Sequence, residues 1–151
     1  MTKKILVLYH SSKYSEISDL DKFIENYKKY KAGTNHTLLI CFKGLNKKQI
    51  DKRKKKLRKI KFISYTDPQL DNDFEWGSQK RVAELYKDYF IFFLNDFSYP
   101  VCKSWLKFFS SHIQRKNIIA SMGNFSSHAR NSLFRKKNEN YLFFLIKIIY
   151  C

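Results

Sequence analysis

The sequence predicts an α/β fold: a mostly parallel sheet with helices on both of its faces. Three observations carry that expectation. Apolar runs of strand length occur without alternation (ILVLY, TLLICF, FIFFL), each stops at polar or glycine-containing loop residues, and amphipathic helical stretches separate them. Strand and helix in turn, with short connections, imply right-handed crossovers between parallel strands.

Ile5 to Tyr9 is β-branched and aromatic, as a buried first strand should be, and runs into His10-Ser11-Ser12. Ser18 is placed to cap a helix with Leu20, Phe23, Ile24, Tyr27 and Tyr30 on its core face and Gly33 at its end. Thr37 to Phe42 is the second strand, and Gly44 marks the turn beyond it. Asn46, with Gln49 three residues on, is a capping signal for a lysine-rich helix whose apolar stripe is only Ile50 and Leu57. Such a helix shows water, or an anion, a dense cationic face.

Lys61 to Tyr65 is a short third strand. After it comes TDPQLDNDFEWG, where Asp67, Asp71, Asp73 and Glu75 place four of the chain's 13 acids in nine residues. From Gly77 a helix follows, with Val82, Leu85 and Tyr86 inward. Phe90 to Leu94 then reads as a strand buried on both faces, stopping at Asn95-Asp96-Phe97-Ser98. Ligands of open α/β sheets sit beyond the carboxyl ends of strands, so Asn95, Asp96 and Ser98 occupy the most favourable functional position; the same residues also suit a turn that starts the next helix. That helix, from Ser98 or Tyr99, has Val101, Trp105, Phe108, Phe109 and Ile113 as its core face, and Asn117 to Met122 reads as a fifth strand. Past Gly123 a polar, basic stretch precedes YLFFLIKIIYC, an apolar run of helix or strand type, packed on the sheet or left exposed.

At 151 residues the chain has room for one domain with a real core, and 44% hydrophobic content excludes general disorder. Thirty Lys+Arg against 13 Asp+Glu give a formal net charge of +17, a surface that must meet nucleic acid, acidic lipid headgroups or phosphorylated small molecules. Most of that charge is lysine, a diffuse field rather than a set of bidentate readers, which argues against a sequence-specific nucleic-acid partner. Cys41, Cys102 and Cys151 form no CxxC pair and read as reduced thiols of a cytosolic protein. The first apolar run is too short for a signal-peptide core, and no window reaches the ~20 apolar residues of a membrane span. The expected location is cytoplasmic, with the lysine-rich helix able to hold the protein peripherally on the inner face of the membrane.

The order of segments resembles the nucleotide-sugar-binding half of the GT-A glycosyltransferases, a Rossmann-like fold, in particular the bacterial family-2-like enzymes of surface-polysaccharide and lipopolysaccharide synthesis. The likeness runs from about Lys4 to His128 and rests on ILVLYHSS, on WGSQKRVAELYKDYFIFFLNDFSYP, and on KSWLKFF followed by NIIASMGNFSSH. It implies a donor-binding domain over residues 1–128, a basic then apolar C-terminal segment over 129–151, and transfer of a sugar from a nucleotide-sugar donor to a glycan or lipid-linked acceptor. In that family the fourth strand ends in an Asp-x-Asp motif that holds Mg²⁺ or Mn²⁺ against the donor diphosphate, because a cation offsets the charge building on the leaving group. Here Asn95 stands at the first carboxylate position and Phe97 at the second, so the motif is degenerate and Asp96 is the one expected metal ligand.

The resemblance further implies donor contacts from Tyr9 and His10 to the base and ribose, from Asp67 to the base, and from Gly77 and Arg81 to the diphosphate, with Asn95 and Asp96 steadying the donor. Structural alternatives stand beside these: Tyr9 as plain core, the acidic loop as a solvated connection, Arg81 paired with Glu84 or Glu75. Enzymes of this type continue into an acceptor-binding half that carries the catalytic base, and nothing past His128 matches it. No catalytic residue is therefore assigned, and an incomplete or degenerate transferase is expected. The competing expectation is a non-catalytic basic module that binds an anionic polymer or membrane, with the α/β core as scaffold.

Overall fold

The computed structural model describes residues 4–69 and 73–113. Along these residues the elements are β1 (Ile5–Ser12), α1 (Ile17–Lys29), β2 (Thr37–Lys43), α2 (Lys47–Leu57), β3 (Ile63–Thr66), α3 (Phe74–Leu85), β4 (Phe90–Leu94) and α4 (Trp105–Ser111). The strands form one all-parallel sheet in the order β3-β2-β1-β4. Leu8 of β1 lies opposite Leu39 on one side and Phe93 on the other. After β3 the chain passes back over β2 and β1 to place β4 on the far side of β1. The reversal of winding therefore falls between β1 and β4, where α/β sheets open a crevice.

Because side chains alternate along a strand, the sheet has two apolar faces. Ile5, Val7 and Tyr9 of β1 and Leu38, Ile40 and Phe42 of β2 pack against Leu20, Phe23 and Ile24 of α1, Leu57 of α2, and Trp105 and Leu106 of α4. Leu6, Leu8, Leu39 and Cys41 point the other way, onto Val82 of α3. Helices thus cover both faces, as the sequence predicts. Phe23 is wholly buried and stacks on Tyr9 with ring centroids 4.0 Å apart. Full burial of a side chain this size contributes roughly 1.5–3 kcal/mol.

Asn46 caps α2 as expected: its Oδ1 accepts from the Gln49 N–H at 2.9 Å, and its own N–H donates to Gln49 Oε1 at 2.9 Å. Several expectations need correction. Glu16, not Ser18, caps α1, its N–H donating to Asp19 at 3.1 Å, because the Ser12–Ser15 turn delivers the chain to the helix two residues earlier. Gly33 does not end that helix; it takes φ +78° beyond it, where an added Cβ would lie 2.8 Å from Ser104. α3 begins at Phe74, ahead of Gly77, and Leu85 is exposed. β4 is one of the two edge strands among the described residues and is not buried on both faces: Phe90 is 37% exposed, while Phe92 packs on Trp105 and Phe109. Ser104, at φ 60°, delays α4 to Trp105 and leaves Val101 and Phe108 outside the core. Cys41 is a buried free thiol. No helix among the described residues is long and apolar enough to cross a membrane. The expected fifth strand and the 128/129 boundary lie outside the described residues.

Candidate functional site

Parallel strands bring all their carboxyl ends to one edge. There β1 delivers His10 and Ser12, β2 delivers Lys43, the loop after β3 delivers Asp67, and the loop after β4 delivers Asp96. A cleft of about 460 Å³ opens at this edge. His10, Ser12, Lys43 and Asp96 lie along it with Lys13 and Tyr14 of the β1–α1 loop, the first turn of α3 (Phe74, Glu75, Trp76) and Phe97. Tyr14, Phe74, Trp76 and Phe97 stand exposed around its mouth. Four large rings left out of the core at one cleft offer flat apolar surface for a planar or ring-shaped ligand. Phe74 adopts φ 45°, an unfavourable conformation for a side chain of its size, and its carbonyl accepts from Lys43 Nζ at 2.7 Å.

His10, Glu75 and Asp96 converge: one ligand atom from each lies within 4.8 Å of the other two. His10 is 3% exposed, and its Nδ1 stands 3.8 Å from Glu75 with no hydrogen-bond partner among the described residues. Asp96 is held from both ends. Its carboxylate accepts from Ser12 Oγ at 2.9 Å and its backbone carbonyl accepts from the Tyr9 hydroxyl at 2.9 Å. Burial, then the Asp96 charge, pushes Glu75 up to about 7, and burial pushes Asp96 up as well. Burial, followed by the charge of Lys43, lowers His10 to about 4, so the imidazole is neutral at pH 7.

Beside this group lies a second one in which every charge is matched. Arg81 donates to Asp67 at 2.7 Å and to Asp73 at 2.6 Å; Lys43 also binds Asp73 and sits 3.7 Å from Asp67. Although burial works against it, Asp67 is held below the usual carboxylate range by Arg81, Ser78, the Gln69 N–H and Lys43. Arg81 and Lys43 together hold Asp73 at about 2. Gly77 makes this packing possible, since a Cβ there would collide with the Asp73 carboxylate. Arg53, the inward residue between Ile50 and Leu57 on α2, ties the end of β1 to the loop that follows it, through Ser11 Oγ at 3.1 Å and the Ser15 carbonyl at 2.7 Å.

The expected site residues therefore separate. His10 and Asp96 meet in the cleft. Tyr9 is core, stacked on Phe23, and acts on the site only through the Asp96 backbone. Asn95 belongs to a turn, its Oδ1 accepting from the Phe97 N–H at 3.1 Å and Ser98 Oγ at 2.6 Å. Asp67 and Arg81 are bound to each other, and Gly77 lies inside α3 making room for Asp73, so none of the three lines the cleft. In the sequence Glu75 stands out only as a member of the acidic loop and an alternative partner of Arg81, and Arg53 only as part of the lysine-rich helix. Its place on the apolar stripe of α2 was the available signal for Arg53; nothing local marks Glu75 as the partner of His10. Compared with family models, with characterised proteins and with solved structures, the chain matches none.

Proposed function

We propose that the protein is a GT-A-like glycosyltransferase, or its donor-binding half, that takes a nucleotide sugar in the cleft at the carboxyl edge and serves the growth of a cell-surface glycan. The observation that carries this reading is the position of the cleft: it opens where the sheet reverses between β1 and β4, with Asp96 and His10 on its floor and four exposed rings at its mouth. The rings suit stacking of a nucleobase or sugar. In transfer, an acceptor hydroxyl, from a glycan or a lipid-linked glycan, attacks the anomeric carbon, the bond from that carbon to the diphosphate oxygen breaks, and negative charge gathers on the departing diphosphate. Buried carboxylates repel such a group, so the residues present fit a divalent cation held by Asp96 with His10 and Glu75. When bound, the ion would offset the leaving-group charge. Ser12 and Tyr9 fix Asp96 for that role.

Thermal unfolding with UDP or GDP, with and without Mn²⁺, tests the reading. A ligand at 100 times its Kd raises stability by about 2.7 kcal/mol, a shift of several degrees in a domain this size. Asp96→Ala is expected to abolish the shift. No shift with either nucleotide under either condition contradicts the proposal.

A second reading is favoured by α2, which exposes Lys47, Lys48, Lys52 and Lys55 together. Such a face suits the anionic inner leaflet, at about 1 kcal/mol per lysine near the surface. Salt-sensitive binding to acidic vesicles, without any nucleotide effect, would make this a non-catalytic surface-binding module.

A further inference from the structure

The hydrogen bonds behind His10 decide which of its nitrogens is free. Ser78 Oγ donates its single proton to the Asp67 carboxylate, which offers only acceptors. Toward His10 Nε2, 3.4 Å away, Ser78 must therefore accept, and Nε2 carries the imidazole proton. Nδ1 is left as a bare lone pair, buried and without a partner among the described residues. An unpaired buried acceptor costs about 1–3 kcal/mol. Glu75 and Asp96, whose ligand atoms lie within 4.8 Å of the imidazole's, are acceptors too when ionised. Three acceptors converging on one point leave a position that a single cation satisfies at once.

We propose that His10 Nδ1, Glu75 and Asp96 form a three-ligand site for a first-row transition-metal dication, not for Mg²⁺. The inference deepens the donor-site reading by naming the ion and its ligands, and it stands on the cleft floor whatever the organic ligand proves to be. One imidazole nitrogen with two carboxylate oxygens suits Mn²⁺, Fe²⁺, Co²⁺ or Zn²⁺, whereas Mg²⁺ prefers an all-oxygen octahedron rich in water. The site is also distinct from a pair of carboxylates at the tip of β4: only Asp96 comes from there, while β1 gives His10 and α3 gives Glu75.

Its supports are in place. The ring of His10 is backed through Ser78 by the buried Asp67, the carboxylate-behind-histidine arrangement that orients a ligand and raises its basicity. Asp96 is held by Ser12. Glu75, with its side chain 35% exposed on the first turn of α3, is the arm that moves. Ligands about 2.1 Å from an ion stand roughly 3–3.5 Å from one another, so the present spacing, within 4.8 Å, has only to tighten slightly on binding. Three protein ligands leave the remaining positions open to the cleft, for water or a phosphate oxygen.

The test is a titration of the full chain, stripped with a chelator and free of nucleotide, with Co²⁺, followed by visible absorption and calorimetry. One Co²⁺ per chain is expected, with absorption bands that report nitrogen ligation, displaced by Zn²⁺, and by Mn²⁺ in excess, but not by millimolar Mg²⁺. Glu75→Gln, a change at a part-exposed side chain that leaves the fold intact by circular dichroism, is expected to weaken Co²⁺ at least ~10-fold, His10→Gln to weaken it and remove the nitrogen bands, and Ser78→Ala to weaken it ~10–100-fold with all ligands retained. Absence of Co²⁺ binding, affinity unchanged in Glu75→Gln, or equal competition by Mg²⁺ would overturn the proposal. A UDP-induced rise in melting temperature without Co²⁺ binding sinks this inference alone; Co²⁺ binding without any nucleotide effect upholds it and sinks the donor reading.

Discussion

At one edge of the sheet, Asp67 and Asp73 lie against Arg81 and Lys43, while next to them Glu75 and Asp96 lie against each other and a neutral histidine. Both groups are made of acids buried or half-buried along the carboxyl edge of the sheet. In the first the cations are supplied by the chain, so its charges hold α3 onto β2 and β3. In the second the acids meet a neutral histidine and a hydroxyl donor, and the proposed cation would supply the positive partner. The difference teaches that charge density alone does not mark a site. What marks it is charge the fold gathers without neutralising.

That contrast breaks first at Arg81. Arg81→Leu removes one partner of Asp67, whose side chain is fully buried, and is expected to destabilise the protein by about 3 kcal/mol, read from urea unfolding. A cost below about 1 kcal/mol would mean that Lys43 and Ser78 suffice. Gly77→Ala comes next. A helical Gly→Ala change ordinarily gains about 1 kcal/mol, but here the methyl group displaces Asp73 from Arg81 and Lys43, so a lower melting temperature is expected. The acid limb sharpens the same contrast. Asp67 and Asp73 have folded pKa values below their unfolded ones, so their stabilisation is complete above the ordinary carboxylate pKa of about 3.9 and is lost as pH falls through the folded values, about 2 for Asp73. Stability measured from pH 5 to 2 should fall, and less steeply in Asp73→Asn. The smallest effect belongs to the other group: Glu75→Gln removes a carboxylate that pairs with no lysine or arginine among the described residues, and metal-free stability at pH 7 should stay within about 0.5 kcal/mol of the parent.

Much of the fold was legible because it rests on local rules. The Asn46–Gln49 cap, the Leu20–Phe23–Ile24 face and the strand runs need no knowledge of the rest of the chain. The misreadings arise where tertiary context overrides a local signal. FIFFL has the composition of an interior strand, yet β4 lies at an edge of the described sheet; Asn95 looks like a ligand at a strand tip, yet its side-chain carbonyl is taken by its own turn. Asp96 and His10 could be placed at the edge because strand ends are visible in sequence. Glu75 could not be joined to them, since only the return of the chain over β1 sets α3 above His10.

The most direct measurement is amide chemical-shift mapping of the labelled protein titrated with UDP and Mn²⁺, with the diamagnetic UDP complex as reference. The account predicts that UDP alone perturbs Tyr14, Trp76, Phe97 and their neighbours at the cleft mouth, and that Mn²⁺ broadens His10, Ser12, Glu75 and Asp96 first. Perturbations confined to the lysines of α2, with the carboxyl edge of the sheet unmoved, would contradict it.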